Sequence, residues 1–236
     1  MKVYTDLHIH SALSPCSDNE MTPNNIVNMA FLKQLDIIAV TDHNTAENCV
    51  AVVECAKKRG VVAVPGMELE TREEVHLLCL FPGINEALCM QEIVYNALPD
   101  IKNRKEIFGE QIVLDEQDNV LRQVDRLLLT ATSLSVDDAL AHVGALGGVV
   151  IPAHIDRDSY SIISNLGVIP DNPEIKYLEI SKLCDKSKYL DNNSYLSRFN
   201  FIMSSDAHSL GDILERENTI ELDEVSIECL IETLRK

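Results

Sequence analysis

The chain has 236 residues, of which 46% are hydrophobic, so it can bury a sizeable core and is not a wholly disordered protein. Its 38 acidic residues outnumber its 20 lysines and arginines, and the net charge of −18 argues against binding to long nucleic acid or to an anionic membrane. The apolar runs are far shorter than the roughly 20 residues that span a bilayer. We therefore expect a cytoplasmic protein with a single domain over residues 1–236.

Short apolar runs alternate with helix-like stretches along the chain. Seven runs are predicted to be strands: Val3–His8, Ile37–Val40, Val61–Val64, Val75–Phe81, Val149–Ala153, Tyr177–Ile180 and Phe201–Ser204. Helices are predicted after Thr22-Pro23, from Thr45 as N-cap to Gly60, over 84–97, from the Ser135/Asp138 capping box to Gly147-Gly148, and from about Glu224 to Leu234. This alternation predicts an α/β protein with a parallel, barrel-like sheet.

Residues 110–124 break the alternation. They form a polar stretch that predicts a hairpin with its turn near Gln117-Asp118-Asn119. We interpret it as part of an insertion or lid at about 84–130, and not as a separate domain.

Histidines mark the predicted strand ends. Five of the seven lie at or just past the end of a strand, and His76 lies near the start of one. In a β/α barrel, the C-terminal strand ends form the active-site face. His8 and His10, in DLHIHS, are two residues apart on a strand, so both side chains point to one face and can reach one metal ion. In TDHNT, His43 is a natural ligand and Asp42 could orient a neighbouring imidazole.

Three later motifs repeat this arrangement. In PGMELE, Glu68 or Glu70 could supply a carboxylate that bridges two metals. His154 ends a buried strand, and Arg157, three residues further on, could bind an anion with its guanidinium. The last motif, SSDAHS, places an aspartate and a histidine two residues apart. Each motif alone also fits a helix cap or a buried polar residue, but five of them together predict a metal centre.

The order of these motifs resembles the PHP (polymerase and histidinol phosphatase) family over Asp6 to His208: an HxH, a TDH, a glutamate, single histidines and a terminal DxH. The resemblance implies a distorted (β/α)7 TIM-like barrel that binds two to three divalent ions of zinc, manganese or iron. The ligands it implies are His8, His10, Glu68 and Asp206 for the first ion, Glu68, His76 and His154 for the second, and Asp18, His43 and His208 for the third. Asp18 stands where many members have a histidine.

The resemblance also implies a metal-dependent phosphatase. Our hypothesis is that a metal-bound hydroxide attacks a small phosphomonoester, which could be nucleotide-like, so the expected partner is a small phosphorylated metabolite. Arg157 is the first choice for binding phosphate, and Lys182 is a weak second because a solvated loop lysine is the simpler interpretation. Three alternatives stay open: a nuclease that trims short oligonucleotide ends, an amidohydrolase, and a non-catalytic, metal-stabilised module.

Overall fold

The structure is a computed structural model and describes residues 1–236. The strands are β1 (Lys2–Ile9), β2 (Ile37–Val40), β3 (Val62–Glu70), β4 (His76–Leu80), β5 (Ile112–Leu114), β6 (Val120–Gln123), β7 (Val149–Pro152), β8 (Tyr177–Ser181), β9 (Asn200–Ser204) and β10 (Thr219–Glu221). The helices are α1 (Pro23–Leu32), α2 (Cys49–Arg59), α3 (Ile84–Ala97), α4 (Lys105–Phe108), α5 (Val136–Ala145), α6 (Ile162–Leu166), α7 (Lys186–Asn192) and α8 (Ile227–Leu234). All seven predicted strands are present, and β5 and β6 form the predicted hairpin.

The main sheet curls into an incompletely closed barrel. Its strand order is β10-β1-β2-β3-β4-β7, while β8 and β9 form a separate parallel pair. This pair lies between β7 and β1: just after β7 the Ile155 N–H donates to the Glu179 carbonyl of β8 (2.9 Å), and just after β1 the His10 N–H donates to the Ala207 carbonyl, which follows β9 (2.9 Å). The expected α/β fold with a distorted TIM-like barrel is confirmed.

The predicted parallel sheet is wrong for β4. This strand runs antiparallel to both β3 and β7, which are its neighbours. Only residues 71–75 separate β3 from β4, and a parallel pair needs a crossover of a dozen residues or more. The reversal places His76, the first residue of β4, at the edge where β3 and β7 end.

The start of α2 also differs from its prediction. Thr45 does not cap the helix, which begins at Cys49 after Asn48. The Thr45 hydroxyl instead donates to the Gln91 side chain at 3.1 Å and so ties this loop to α3. The predicted end is confirmed, because Gly60 closes the helix with a φ of 71°.

Other boundaries shift without changing the architecture. The strand predicted to end at Val64 continues to Glu70, so both glutamates of PGMELE lie inside β3. The last helix begins at Ile227, later than expected, with Ser226 as its N-cap. The predicted capping box of Ser135 is present at the start of α5.

Both faces of the barrel strands are covered by apolar side chains. In β2, Ile37 and Ala39 point into the barrel, whereas the alternate residues pack towards α1 and α2. Leu230 and Leu234 of α8 pack against the inward residues and fill the barrel interior. Burial on two faces explains why the strands are continuous apolar runs. No helix of the chain has both the length and the apolar composition needed to cross a membrane.

The segment 84–130 is fastened to the loops that follow β1 and β2. The Asn44 side-chain amide donates to the Leu128 carbonyl at 2.8 Å. The Ile112 N–H donates to the Ala12 carbonyl at 2.9 Å. The hairpin therefore lies beside the loops that carry the first predicted ligands, and its role as a lid stays a prediction.

Gly109 provides a test of this attachment. Its φ of 99° is in a region that side chains rarely adopt, and a Cβ there would collide with the Pro15 carbonyl oxygen. We expect Gly109→Ala to lower the free energy of unfolding by about 1–3 kcal/mol because the substitution adds backbone strain. Chemical denaturation measures it, with Gly211→Ala as control because a Cβ there meets nothing within 4 Å. Equal stability of the two variants would contradict the expectation.

Candidate metal centre

The carboxylate of Glu68 lies at the centre of a ring of imidazoles. Glu68 is 1% exposed and lies near the end of β3. The nearest ring nitrogen lies at 2.8 Å in His76, 2.9 Å in His43, 3.2 Å in His8, 3.2 Å in His154 and 3.4 Å in His10. One buried carboxylate thus contacts five of the seven histidines.

The fold explains how residues distant in sequence reach this carboxylate. His8 and His10 alternate along the end of β1 and point the same way, so their Nε2 atoms are 3.1 Å apart. His43 follows β2 and pairs through its backbone with Glu68. His154 follows β7, and His76 reaches the same edge because β4 is reversed.

The DxH motif after β9 completes the cluster. The Asp206 Oδ1 atom is 3.0 Å from Nε2 of His10 and 3.3 Å from Nε2 of His8. The imidazole of His208 stacks on that of His10 with ring centroids 4.3 Å apart. The structure therefore brings together eight of the nine predicted ligands: His8, His10, His43, Glu68, His76, His154, Asp206 and His208.

Hydrogen bonds to Nδ1 of His8 and His10 leave the unprotonated Nε2 atoms of these two residues facing the centre. The Glu179 carboxylate accepts from Nδ1 of His8 at 3.0 Å. Nδ1 of His10 lies 2.9 Å from the Ser14 hydroxyl, which itself donates to Asp42 at 2.7 Å and so must accept from the ring. When Nδ1 carries the proton, Nε2 presents a lone pair, so two lone pairs face each other across 3.1 Å. This arrangement needs a cation.

Several buried atoms in the cluster have no hydrogen-bond partner. They are both nitrogens of His76, Nδ1 of His43, Nδ1 of His154 and Oε2 of Glu68. Buried polar atoms almost always have partners, and coordination to a metal would supply one to the three of these atoms that face the centre, namely Nδ1 of His43, Nδ1 of His76 and Oε2 of Glu68. Three groups of side chains have ligand atoms close enough to share one ion: His10 with His43 and His208, His8 with His10 and Glu68, and His43 with Glu68 and His76. Imidazole and carboxylate ligands fit zinc, manganese and iron alike.

The pKa shifts in the cluster also indicate that its carboxylates require positive charge nearby. Burial lowers the pKa of His10, but the carboxylates of Asp206 and Glu68 outweigh burial and raise this pKa to about 9. Burial and the protonated His10 lower the pKa of His43 to about 3. Burial would raise the pKa of Glu68, yet the imidazoles, with His76 first, hold it well below its usual range. Without metal, protons on some histidines provide the positive charge that divalent ions would otherwise supply.

Asp42 was predicted to orient a neighbouring imidazole, but its carboxylate bonds to serines and not to an imidazole. Its carboxylate accepts from the N–H of Ser11 at 2.7 Å and from the hydroxyl of Ser14. It therefore reaches His10 through Ser14. Its function in orienting a ligand stays a prediction, now with an intervening hydroxyl.

Glu179 was missed by the sequence reasoning. It is 1% exposed in β8, and besides His8 it accepts from the backbone N–H of His154 at 2.9 Å. It thus holds two predicted ligands from different strands. The only signal in the sequence is an acidic residue within the apolar run YLEIS.

Two predicted or alternative ligands lie away from the centre. Asp18 is exposed, and its carboxylate accepts from the N–H of Glu20 at 3.0 Å, although its own N–H donates to the His208 carbonyl. Its role in holding a third ion stays a prediction. Glu70, the alternative to Glu68, lies 4.0 Å from His76 and contacts no other imidazole of the cluster.

The predicted phosphate-binding residues lie at the rim. Arg157 has a 42% exposed side chain and forms an ion pair with Asp206. The Lys182 ammonium lies 3.2 Å from the carboxylate of Asp212 and contacts no residue of the cluster through an ion pair. Both roles stay predictions.

This buried cluster at the mouth of a distorted barrel defines a metal-binding α/β protein. The PHP domain family model matches residues 6–181, which is more than half of the chain. The chain therefore belongs to the PHP domain family. An uncharacterized protein of Methanocaldococcus jannaschii, MJ1587, is 34% identical over 98 residues, which cover 38% of this chain and 57% of that protein.

Solved structures share the fold. The lesion-specific endonuclease Q from Pyrococcus furiosus matches with a TM-score of 0.71 and 21% identity over 100% of this chain. A complex of endonuclease Q with a 27-mer duplex that carries an abasic lesion gives 0.73 and 22% over 99% of the chain. This chain covers 56% of each endonuclease chain. A protein of Bifidobacterium adolescentis assigned as a metal-dependent phosphoesterase gives 0.65 and 17%, with coverage of 97% and 96%. At these identities the likeness concerns the fold alone.

The raised pKa of His10 predicts how metal-free protein responds to pH. Folding raises this pKa from 6.5 to about 9, so the stabilisation is fully present below pH 6.5 and is lost as the pH rises through 9. We expect the melting temperature of chelator-treated protein to fall across this range. Protein reloaded with zinc should fall much less, because metal coordination replaces the proton. Parallel curves for the two forms would contradict the explanation.

Glu179 offers a second test. Glu179→Gln keeps the size of the side chain but removes the charge that orients His8, so we expect metal affinity to fall about 10–100-fold. Competition with a chromogenic chelator measures the affinity. The matched control is Glu174→Gln, because Glu174 is exposed and lies outside the site. If both variants bind metal like the unsubstituted chain, Glu179 does not position the centre.

Proposed function

We propose that the chain is a cytoplasmic phosphatase that hydrolyses a small phosphomonoester at the Glu68 cluster. The observation that carries the proposal is the buried carboxylate surrounded by five imidazoles, several of whose polar atoms have no hydrogen-bond partner. Such a site is completed by divalent ions, and the PHP family includes metal-dependent phosphoesterases. We propose two to three ions, drawn from zinc, manganese and iron.

Charge supports the binding of an anion at this site. Glu68 and Asp206 carry two negative charges, which two divalent ions outweigh, so a loaded centre attracts phosphate, whereas in the metal-free chain the protons on His10 and its neighbours only offset these charges. Bound ions would polarise the phosphoryl oxygens as Lewis acids and would lower the pKa of bound water towards neutral pH. In the hydrolysis, a bond from water oxygen to phosphorus forms, the ester P–O bond breaks and the leaving alcohol takes a proton.

Side chains of this chain would hold the substrate in place. Arg157 lies beside Asp206 with part of its guanidinium in solvent, so it can bind phosphoryl oxygens that approach the centre. Lys182 is a weaker candidate because Asp212 already pairs with its ammonium. The role of these residues is to orient the ester, since no serine or cysteine nucleophile is required by this chemistry.

A nuclease acting on short oligonucleotide ends is the second candidate. It is favoured by the fold shared with endonuclease Q, whose complex contains a 27-mer duplex substrate with an abasic lesion. The net charge of −18 disfavours a long duplex on this surface. We therefore rank the phosphomonoester first and leave the short oligonucleotide as the alternative.

The test uses protein stripped of metal and reloaded with zinc, manganese or iron. We expect hydrolysis of p-nitrophenyl phosphate in at least one metal form, and a loss of at least about 100-fold in His8→Ala and Asp206→Asn, because both residues contact the centre. His142→Ala is the matched control, since this histidine lies in α5 outside the cluster. Full activity in both site variants would place catalysis elsewhere.

The same assay separates the two candidates. Bis-p-nitrophenyl phosphate is a diester, and a short single-stranded oligonucleotide reports removal of terminal nucleotides. A preference for the monoester supports the phosphatase, whereas release of nucleotides with little monoester hydrolysis would support the nuclease.

A further inference from the structure

The loop between β7 and α6 crosses the rim of the metal centre. It carries Arg157 on the side of Asp206 and Tyr160 on the side of His76. The Tyr160 ring stacks on the His76 imidazole with centroids 4.6 Å apart and planes at 20°. The Tyr160 carbonyl also accepts from the His76 N–H at 2.9 Å, so backbone and side chain are both fixed at this edge.

Tyr160 has an unusual backbone for an aromatic residue. Its φ of 56° lies in the left-handed region, which is costly for a bulky side chain and is most often retained at functional sites. The side chain is 45% exposed, so little burial offsets this cost. One ring face rests on His76, and exposure leaves the ring accessible from solvent beside the centre.

Arg157 and Tyr160 are linked by a chain of contacts that runs through the residues of the cluster. Asp206 is 3.3 Å from His8, which is 3.2 Å from Glu68, which in turn is 2.8 Å from His76. The cation of one rim residue and the aromatic ring of the other thus flank the same cluster. A phosphate over the cluster could meet Arg157 while the group esterified to it meets the ring.

We propose that Tyr160 is a substrate-binding residue that selects phosphate esters bearing a planar aromatic group, such as a nucleobase. The inference rests on the proposed function and narrows its substrate class. Stacking of a base on an aromatic side chain corresponds to about a 5- to 150-fold gain in affinity, and every base offers a face for it. Arg157 supplies the contact with phosphate in the same loop.

The experiment measures binding with probes that cannot be hydrolysed. Benzylphosphonate carries a planar ring, and cyclohexylmethylphosphonate has the same charge and a similar size but no planar ring. Their dissociation constants are measured by calorimetry on protein equilibrated with MnCl₂. The proteins are the unsubstituted chain, Tyr160→Phe, Tyr160→Leu and the control Tyr195→Leu, which replaces an exposed tyrosine in the short turn before β9.

We expect the unsubstituted chain, Tyr160→Phe and Tyr195→Leu to prefer benzylphosphonate by at least about fivefold, and Tyr160→Leu to lose this preference with unchanged metal content. Equal binding of both probes by all four proteins overturns the inference. So does loss of the preference in Tyr160→Phe, because the hydroxyl and not the ring would then act. Loss of metal from Tyr160→Leu would also overturn it, by showing a role in supporting His76.

Binding and hydrolysis can fail separately. A ring preference that depends on Tyr160, in a protein that hydrolyses no phosphate ester, supports the stacking site and refutes the proposed phosphatase. Hydrolysis of phosphomonoesters with no ring preference supports the phosphatase and refutes the stacking site.

Discussion

A buried carboxylate enclosed by imidazole lone pairs is the constraint on which the rest of the site depends. Glu68 contacts five histidines inside a barrel whose lower interior is filled by apolar side chains from α8. Unpaired charge in such surroundings is costly, because water cannot solvate it. The cost is met by cations, either protons in the metal-free chain or divalent ions in the loaded one. Glu179 and Ser14 turn the outer nitrogens of His8 and His10 away, which leaves the inner ones available for coordination.

The reversed strand β4 makes this enclosure complete. In a barrel of parallel strands, a residue at the start of a strand lies at the opposite end from the active site. Because the β3–β4 connection is too short for a crossover, β4 returns antiparallel and delivers His76 to the correct edge. The departure from parallel order thus contributes a ligand that no regular barrel strand could supply from its first residue. It also gives Tyr160 a partner on which to stack.

Much of this centre could be predicted from local patterns. The i, i+2 spacing placed His8 and His10 on one face, and both meet in the structure. The reversal of β4 was missed because the preceding strand was predicted to end at Val64, with ten residues between it and Val75, whereas β3 continues to Glu70 and leaves too short a connection for a crossover. Glu179 could not be found in the same way, because its role depends on β8 lying beside β7. Asp18 shows the opposite case: its position in the motif order suits a ligand, while the loop leaves its carboxylate in solvent.

The rim of the site is where substrate choice would be decided, because a shared fold does not fix the substrate. Endonuclease Q shares this fold, and the present chain covers 56% of its length. The present rim offers one half-exposed guanidinium, and Asp206 neutralises it in the metal-free chain. If Asp206 coordinates a metal, part of its charge is withdrawn from Arg157, and the guanidinium becomes free to pair with phosphate. Metal binding and phosphate binding would then each favour the other through the single carboxylate of Asp206. As a result, this strongly acidic protein would bind a phosphate only where the centre is loaded with metal.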